Sequence, residues 1–211
     1  MRVGVLASGA GTNLQALLDN VHGHEVEVVA VGSDKPDAQA LERAAAVGVA
    51  TRVFQRADFG DRAARDAAIA DWLESLGVEL VVLAGYMALL DAGFISRFRD
   101  RIVNVHPALL PAFAGIGSIK QAVDYGVRVF GVTVHLVDEG VDTGPIILQG
   151  SIEIANATDP DAVHDALRPI EHRLLCEAVR LLARGAVRRE SPSSRRLIVD
   201  RSVGPETPDY S

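Results

Sequence analysis

The sequence predicts a single α/β domain built on a mixed, mostly parallel sheet of about seven strands, with a Rossmann-like first half. Three observations lead there. Short β-branched runs alternate with longer stretches of helical apolar spacing through the first half, the order that a parallel sheet covered by helices on both faces requires. Residues 80–84 (LVVLA) are apolar throughout, as in a strand buried on both faces. Beyond residue 127 consecutive strand-like runs follow one another, which reads as an antiparallel continuation of the sheet.

The elements follow in order. Residues 2–7 (RVGVLA) read as a buried strand, 9–13 as a turn, and 14–18 as the opening of a helix. Residues 25–31 form a second strand, closed by Gly32, Ser33 and Asp34, and 37–46 a helix stopped by Gly48. Residues 51–54 are a short strand. Asp58 is placed to cap a long helix through Leu76, with Ala63, Ala67, Ile69, Trp72 and Leu76 on its apolar face and Gly77 ending it. A helix at 94–98, a strand at 102–105 and a helix at 118–125 ended by Gly126 come next. Strands at 127–137 and 145–154 precede a long helix, 159–183, in which Pro169 is expected to introduce a bend. The domain is expected to occupy 1–190. Residues 191–211, rich in Ser, Pro and Arg, read as a mobile tail with one strand at 197–199, and the cluster Arg184, Arg188, Arg189, Arg195 and Arg196 reads as solvated rather than anion-binding.

Composition narrows the function. The chain has 21 Lys and Arg against 28 Asp and Glu, a net charge of −7. That argues against nucleic acid or an anionic membrane as a bulk partner, but not against an anion held in a local pocket. Cys176 stands alone, so neither an internal disulfide nor a Cys-rich zinc site is available, and a small core residue is expected. No HExxH motif or third ligand at a metal-binding spacing is present. The absence of a membrane-length apolar run or a signal-peptide pattern predicts a cytoplasmic protein without membrane partners. A monomer and a homodimer are equally compatible with the sequence.

Three segments carry chemistry. Ala7-Ser8-Gly9-Ala10-Gly11-Thr12-Asn13 lies between a strand and a helix. Glycines let the backbone approach a ligand, and the helix start offers free N–H groups to a phosphate. The bland alternative is an ordinary turn capped by Thr12 or Asn13. Leu14 occupies the third glycine position of the dinucleotide fingerprint and there is no P-loop lysine, so a single phosphate group fits better than a dinucleotide. The second segment is Asn104-Val105-His106-Pro107. Asn104 and His106 are two apart at a strand end, hence on one face, where ligands of α/β sheets sit. An imidazole and an amide there can stabilise an oxyanion or relay a proton. The third is the loop from Asp138 to Pro145, in which Asp142 is either an ordinary turn residue or, if the fold brings it to His106, a carboxylate that orients the ring. His135, alternating with Thr133 on the preceding strand, either lines the pocket or sits in the sheet.

Together these segments resemble the phosphoribosylglycinamide formyltransferases, folate-dependent enzymes of purine biosynthesis. The resemblance spans 1–189 and rests on VLASGAGTNLQALLD, VLAGYMALL, NVHPALLPAF and GVTVHLVDEGVDTGPIILQ, in that order. It implies the formyltransferase fold and transfer of a formyl group from N10-formyltetrahydrofolate to the amine of glycinamide ribonucleotide, with no metal. By the resemblance, Asn104, His106 and Asp142 are the catalytic trio. Gly11, Thr12 and Asn13 hold the substrate phosphate, and Pro107 and Glu171 the rest of the ribonucleotide. Arg62, Met87, Ala88, Leu89, Leu90, Asn104 and Asp138 contact the folate. One departure stands out. The family usually reads Pro-Gly-x-His after the Pro111 loop, whereas this chain reads Ala114-Gly115-Ile116-Gly117, which bears on the rigidity of that loop.

Rival readings remain at this point. Methionyl-tRNA formyltransferase has a similar HPSLLP segment but adds a tRNA-binding domain. Formyltetrahydrofolate hydrolase adds an N-terminal regulatory domain, whereas this sequence starts directly at its first strand. A non-catalytic folate- or nucleotide-binding regulator would keep the fold without the trio.

Overall fold

The computed structural model describes residues 1–191 and 194–202. Its strands are β1 (Arg2–Leu6), β2 (Glu27–Ser33), β3 (Ala50–Val53), β4 (Leu80–Leu83), β5 (Ile102–His106), β6 (Val129–Leu136), β7 (Ile146–Glu153), β8 (Val187–Arg189) and β9 (Leu197–Val199). Its helices are α1 (Thr12–Asn20), α2 (Gln39–Ala46), α3 (Arg62–Ser75), α4 (Ala92–Arg97), α5 (Ser118–Tyr125) and α6 (Pro160–Ala183).

Seven strands make one sheet in the order β3-β2-β1-β4-β5-β6-β7. The strands from β1 to β5 pair in parallel, while β5–β6 and β6–β7 are antiparallel. The parallel half follows from the helical crossovers between its strands, and the antiparallel β6–β7 pair from the short connection that joins it. Both faces are covered, so the central strands are apolar on both sides. Val3, Val5, Val82, Val103 and Val105 face a layer that includes α1 and α6. Leu6, Val81, Leu83 and Ile102 face Ile69, Leu73, Phe94 and Phe98 of α3, α4 and the residue after α4. The two-residue period of a strand then carries Asn104 and His106 along the face that begins with Ile102.

The sheet order reverses direction between β1 and β4, and in open α/β sheets ligands gather at the strand ends beside such a point. The loops that leave these strands are tied together. Ser8 N donates to Gly85 O at 3.1 Å and Met87 N to Ser8 Oγ at 2.9 Å.

The third helix differs from the sequence expectation. Residues 56–58 form a 3-10 turn, and Asp61, not Asp58, caps α3 by accepting from Ala64 N at 2.7 Å. Phe59 is extended and stacks on Phe54 with ring centroids 6.4 Å apart, so the chain leaves the helical region there before α3 begins. The buried face is Arg65, Asp66, Ile69, Ala70 and Leu73. Ala63 and Ala67 are exposed, and Trp72 and Leu76 are half-buried. An ion pair on the buried stripe is invisible to a search for apolar spacing.

Helix α6 runs without interruption through Pro169, capped by Asp159. The strand expected at 197–199 is β9, paired antiparallel with β8. The remainder of the expected mobile tail, 192–193 and 203–211, lies outside the described residues. Two of the arginines expected to be solvated are engaged, Arg184 with Glu25 and Arg189 with Asp100, whereas Arg196 is exposed beside Glu190. The fold carries acidic residues from distant elements to the end of α6 and to β8, a proximity the local sequence does not encode. Cys176 is buried and contacts Ala16 O, and burial pushes its thiol up to about 11.

Gly11 is a position where the backbone requires glycine. Its φ is +70°, and an added Cβ would stand 2.8 Å from the Cα and Cβ of Ala40. Gly11→Ala should therefore cost about 1–3 kcal/mol, for the left-handed backbone and the clash with α2. Urea unfolding measures this, and an unchanged midpoint would show that α2 yields freely.

Candidate active site

After β1, helix α1 begins at Gly11 with no side-chain cap. Among the described residues, the N–H groups of Thr12, Asn13 and Leu14 have no acceptor. They form the positive end of the helix dipole, an anion-accepting arrangement. The capped-turn alternative fails on this point. Asn13 is buried and donates through Nδ2 to Glu171 Oε2 at 3.1 Å. Asn13 Oδ1 and Glu171 Oε1 are buried without a hydrogen-bond partner, although His164 Nε2 stands 3.6 Å from the latter. Buried polar atoms rarely stay unpaired, and both of these are acceptors, so they suit a ligand that brings N–H or O–H donors. Glu171 raises the His164 pKa, with burial opposing.

At the end of β5 a second cluster forms. Asp142 Oδ2 lies 3.3 Å from His106 Nδ1, and His106 Nε2 lies 2.9 Å from Phe113 O. Both ring nitrogens thus face oxygen acceptors. A neutral imidazole can donate to only one of them, whereas the imidazolium donates to both. On the other side of the carboxylate, Asn104 Nδ2 donates to Asp142 Oδ1 at 3.3 Å and lies 3.2 Å from His135 Nε2. His135 is brought there by register. It pairs with Asn104 across β5 and β6, and its Nδ1 donates to Leu136 O at 2.8 Å. Gly115 N completes the set, donating to Asp142 Oδ2 at 2.8 Å.

The Asp142 carboxyl is held down at about 2. The largest cause is His135 beside Oδ1; the Gly115 N–H and the His106 ring act the same way, while burial opposes them. The residue adopts a left-handed φ of 52°, unusual for a non-glycine and kept only where surroundings hold it.

The third part is a wall beside the cluster. Asp66 is fully buried and pairs with Arg65 at 2.6 Å. Arg65 Nη2 donates to Leu89 O at 3.1 Å, and Asp66 Oδ2 accepts from Asp91 N at 2.7 Å. Burial pushes the Asp66 carboxyl up against the pull of Arg65. The pair fixes the segment after β4, where Met87 and Leu89 are exposed. Ile116 and Val141, on the other two loops, are exposed as well. Ile95, Val137, Asp138 and Gly140 line a cavity of about 310 Å³ together with Arg99, Asp100 and Arg189. Asp138 Oδ1 itself turns into its loop, accepting from Thr143 Oγ1 at 2.5 Å and Gly140 N at 3.1 Å.

The formyl transferase family profile matches residues 1–179 of this chain. The chain belongs to the formyl transferase family. It is similar to the phosphoribosylglycinamide formyltransferase of Mycobacterium tuberculosis, with 44% identity over 86% of this chain and 85% of that one. It is also similar to the trifunctional purine biosynthetic protein adenosine-3 of Drosophila pseudoobscura pseudoobscura, with 42% identity over 90% of this chain. The chain spans only 14% of the length of that larger protein. The crystal structure of glycinamide ribonucleotide transformylase 1 from Symbiobacterium toebii matches with a TM-score of 0.90 and 43% identity, covering 94% of this chain and 93% of the other. The single α/β domain with its seven-stranded mixed sheet is the formyltransferase fold.

Within this formyl transferase some of the expected residues gather into two groups at the same edge of the sheet. Asn104, His106 and Asp142 meet directly. Gly11, Thr12 and Asn13 meet Glu171 across α1 and α6. Pro107 follows the last residue of β5 and is half-buried. Ala88 and Leu90 are half-buried in the segment held by Arg65 and Asp66. Arg62 is exposed at the first turn of α3; one turn later on the same face, Arg65 reaches that segment. Sequence reasoning missed Arg65, Asp66 and Gly115 and left His135 undecided. An Arg-Asp pair on the inward stripe of a helix is the signal for the first two. Gly115 acts through its backbone and leaves no side-chain signal. In place of the family's usual Pro-Gly-x-His, the chain has Phe113, Gly115 and Gly117 at positive φ, and this loop reaches both His106 and Asp142 by backbone atoms.

Because the folded pKa of Asp142 is depressed, its contribution to stability is present above the unfolded value and is lost as pH falls through about 2. Between about pH 4 and pH 2, the urea midpoint should therefore fall less steeply in Asp142→Asn than in the parent. Parallel curves would show that the carboxylate is not held as described.

Proposed function

We propose that the protein transfers a formyl group from N10-formyltetrahydrofolate to the amine of glycinamide ribonucleotide, a step of de novo purine biosynthesis. The observation that carries this reading is the Asn104–His106–Asp142 cluster at the end of β5 and an uncapped helix start after β1, on the same edge of the parallel sheet. One end suits a phosphate and the other an acyl-transfer centre. The similarity to phosphoribosylglycinamide formyltransferases over most of the chain supports the same substrates.

The ribonucleotide phosphate is taken by the N–H groups of Thr12 and Asn13 at the Gly11 turn, with Glu171 and Pro107 bordering the glycinamide. The folate lies against the segment of Met87, Ala88, Leu89 and Leu90 and the loop that starts at Asp138. The cavity lined by Ile95, Val137 and Gly140 supports this, since it places a partly apolar slot against the loop that starts at Asp138. Arg62, exposed at the rim, suits a glutamyl carboxylate.

In the reaction the neutral amine attacks the formyl carbon. A nitrogen–carbon bond forms, and the formyl oxygen takes up negative charge. His106 meets that oxygen by exchanging the Phe113 carbonyl for it at Nε2. Asn104 contributes an Nδ2–H whose present bond to Asp142, at 3.3 Å, is long and readily exchanged. Asp142 keeps His106 oriented as a donor and, ionised, positions a water that carries the amine proton toward N10 as the carbon–N10 bond breaks. These steps rest on polarisation and proton handling, both supplied by side chains at hand.

The decisive assay follows deformylation of the folate by absorbance. Release that requires glycinamide ribonucleotide supports the transferase. Release without it would mark a hydrolase, and binding without turnover a regulator. In Asn104→Ala, kcat should fall roughly 100- to 1,000-fold, as for loss of one oxyanion donor; unchanged turnover would remove Asn104 from the mechanism. Glu171→Ala should raise the KM for the ribonucleotide while leaving that for the folate unaltered, as expected for lost substrate binding.

A further inference from the structure

We infer that the C-terminal hairpin of β8 and β9, which lies beyond the residues shared with the family profile, positions the loop bearing Asp142 for the folate co-substrate. The agents are Arg195 and Arg189, acting as positioning residues. The inference rests on the proposed folate reading of that loop.

The hairpin has a fixed seat. Leu197 and Val199 pack on the core of the sheet, and β9 lies against β7. Asp200 N donates to Ala186 O at 2.9 Å, closing the open end of the hairpin. From this seat Arg195 Nη2 reaches Gly144 O at 3.4 Å. Among the described residues, this is the only hydrogen bond to the backbone of 138–144 from outside that segment. The remaining bonds of the loop are internal, through Asp138 to Gly140 and Thr143, or belong to the Asp142 carboxylate.

The point of attachment has little slack. A Cβ on Gly144 would stand 1.7 Å from Leu136 O, so the loop returns to the end of β6 in close backbone contact. Two residues earlier Asp142 holds its left-handed φ of 52°. A strained residue keeps such a conformation only when neighbouring structure over-determines it, and a bond to Gly144 O is placed to do that.

Arg189 works at the other end of the same loop. Its Nε donates to Asp100 Oδ2 at 3.2 Å and its Nη1 to Ser194 O at 2.8 Å. It thereby ties the turn of the hairpin to Asp100, another non-glycine at positive φ, here 58°. Arg189 also lines the cavity with Asp138 and Gly140, and the charge of Asp138 acts on it. The hairpin thus bonds the loop at Gly144 and sets the Arg189 charge beside Asp138 at the loop's other end, where the two residues line the same cavity.

The test uses the full chain with Arg195→Ala, Arg195→Lys and Arg189→Ala. In Arg195→Ala the KM for formyl-folate should rise about ten-fold, the scale of one charge-assisted hydrogen bond. The KM for glycinamide ribonucleotide and the Tm should stay at parent values, and Arg195→Lys should recover part of the loss. Arg189→Ala should act in the same direction; if it does not fold, exposed Arg195 carries the test alone. An unchanged folate KM in Arg195→Ala would overturn the inference. So would an equal rise in both KM values with a lowered Tm, which would mark a general structural role. If the parent transfers no formyl group, the proposed function fails separately. Hydrogen exchange at 138–144 then decides: faster exchange in Arg195→Ala sustains the positioning role, and exchange equal to the parent rejects it.

Discussion

The carboxylate of Asp142 draws the site together. It is the one group that touches His106, Asn104, His135 and the backbone of Gly115. Those partners come from β5, β6 and the loop before α5, so its position reports on half of the sheet. The arrangement depends on strand register. Asn104 faces His135 because β5 and β6 pair antiparallel with those residues opposed. A slip by one residue would turn the side chains of one strand to the opposite face and dismantle the cluster. The hydrophobic pattern of β5, with Val103 and Val105 in one core and Ile102 in the other, guards against that slip.

The two halves of the sheet divide the work. The parallel half ends in a helix start whose free N–H groups attract an anion without a charged side chain. The antiparallel half brings two strands and their loop close enough for acid–base chemistry. Glu171 and Asn13 join the long helix to the first of these regions, so α6 is both cover for the sheet and part of the site. A net charge of −7 is therefore compatible with the anionic substrates proposed above. Long-range attraction is weak, and recognition falls to local dipoles and donors.

The Arg65–Asp66 pair shows what holding the segment after β4 in place requires. Burying an ion pair gains little stability by itself, because desolvation offsets the attraction. Here each partner also holds a backbone group of the segment after β4. That segment presents exposed Met87 and Leu89, and without the pair it would lack those anchors to α3.

The sequence alone determined the alternation of strands and helices, the glycine turn ahead of α1, and the pairing of Asn104 with His106 on one face. Each is a local property, set by side-chain period or by the backbone freedom of glycine. The loop carrying Asp142 was legible as a turn, but its chemistry was not, because a carboxylate becomes a partner of His106 only through the β5–β6–β7 register. His135 was undecided for the same reason. Arg65 and Asp66 were hidden because a charged pair inside an apolar stripe reads as an error of pattern until the segment it holds is in place. The start of α3 moved to Asp61 because Phe59 is drawn onto Phe54, a contact between different elements. Local period and glycine placement settled what each segment becomes, and tertiary packing decided which polar groups meet, since that depends on register and burial across distant parts of the chain.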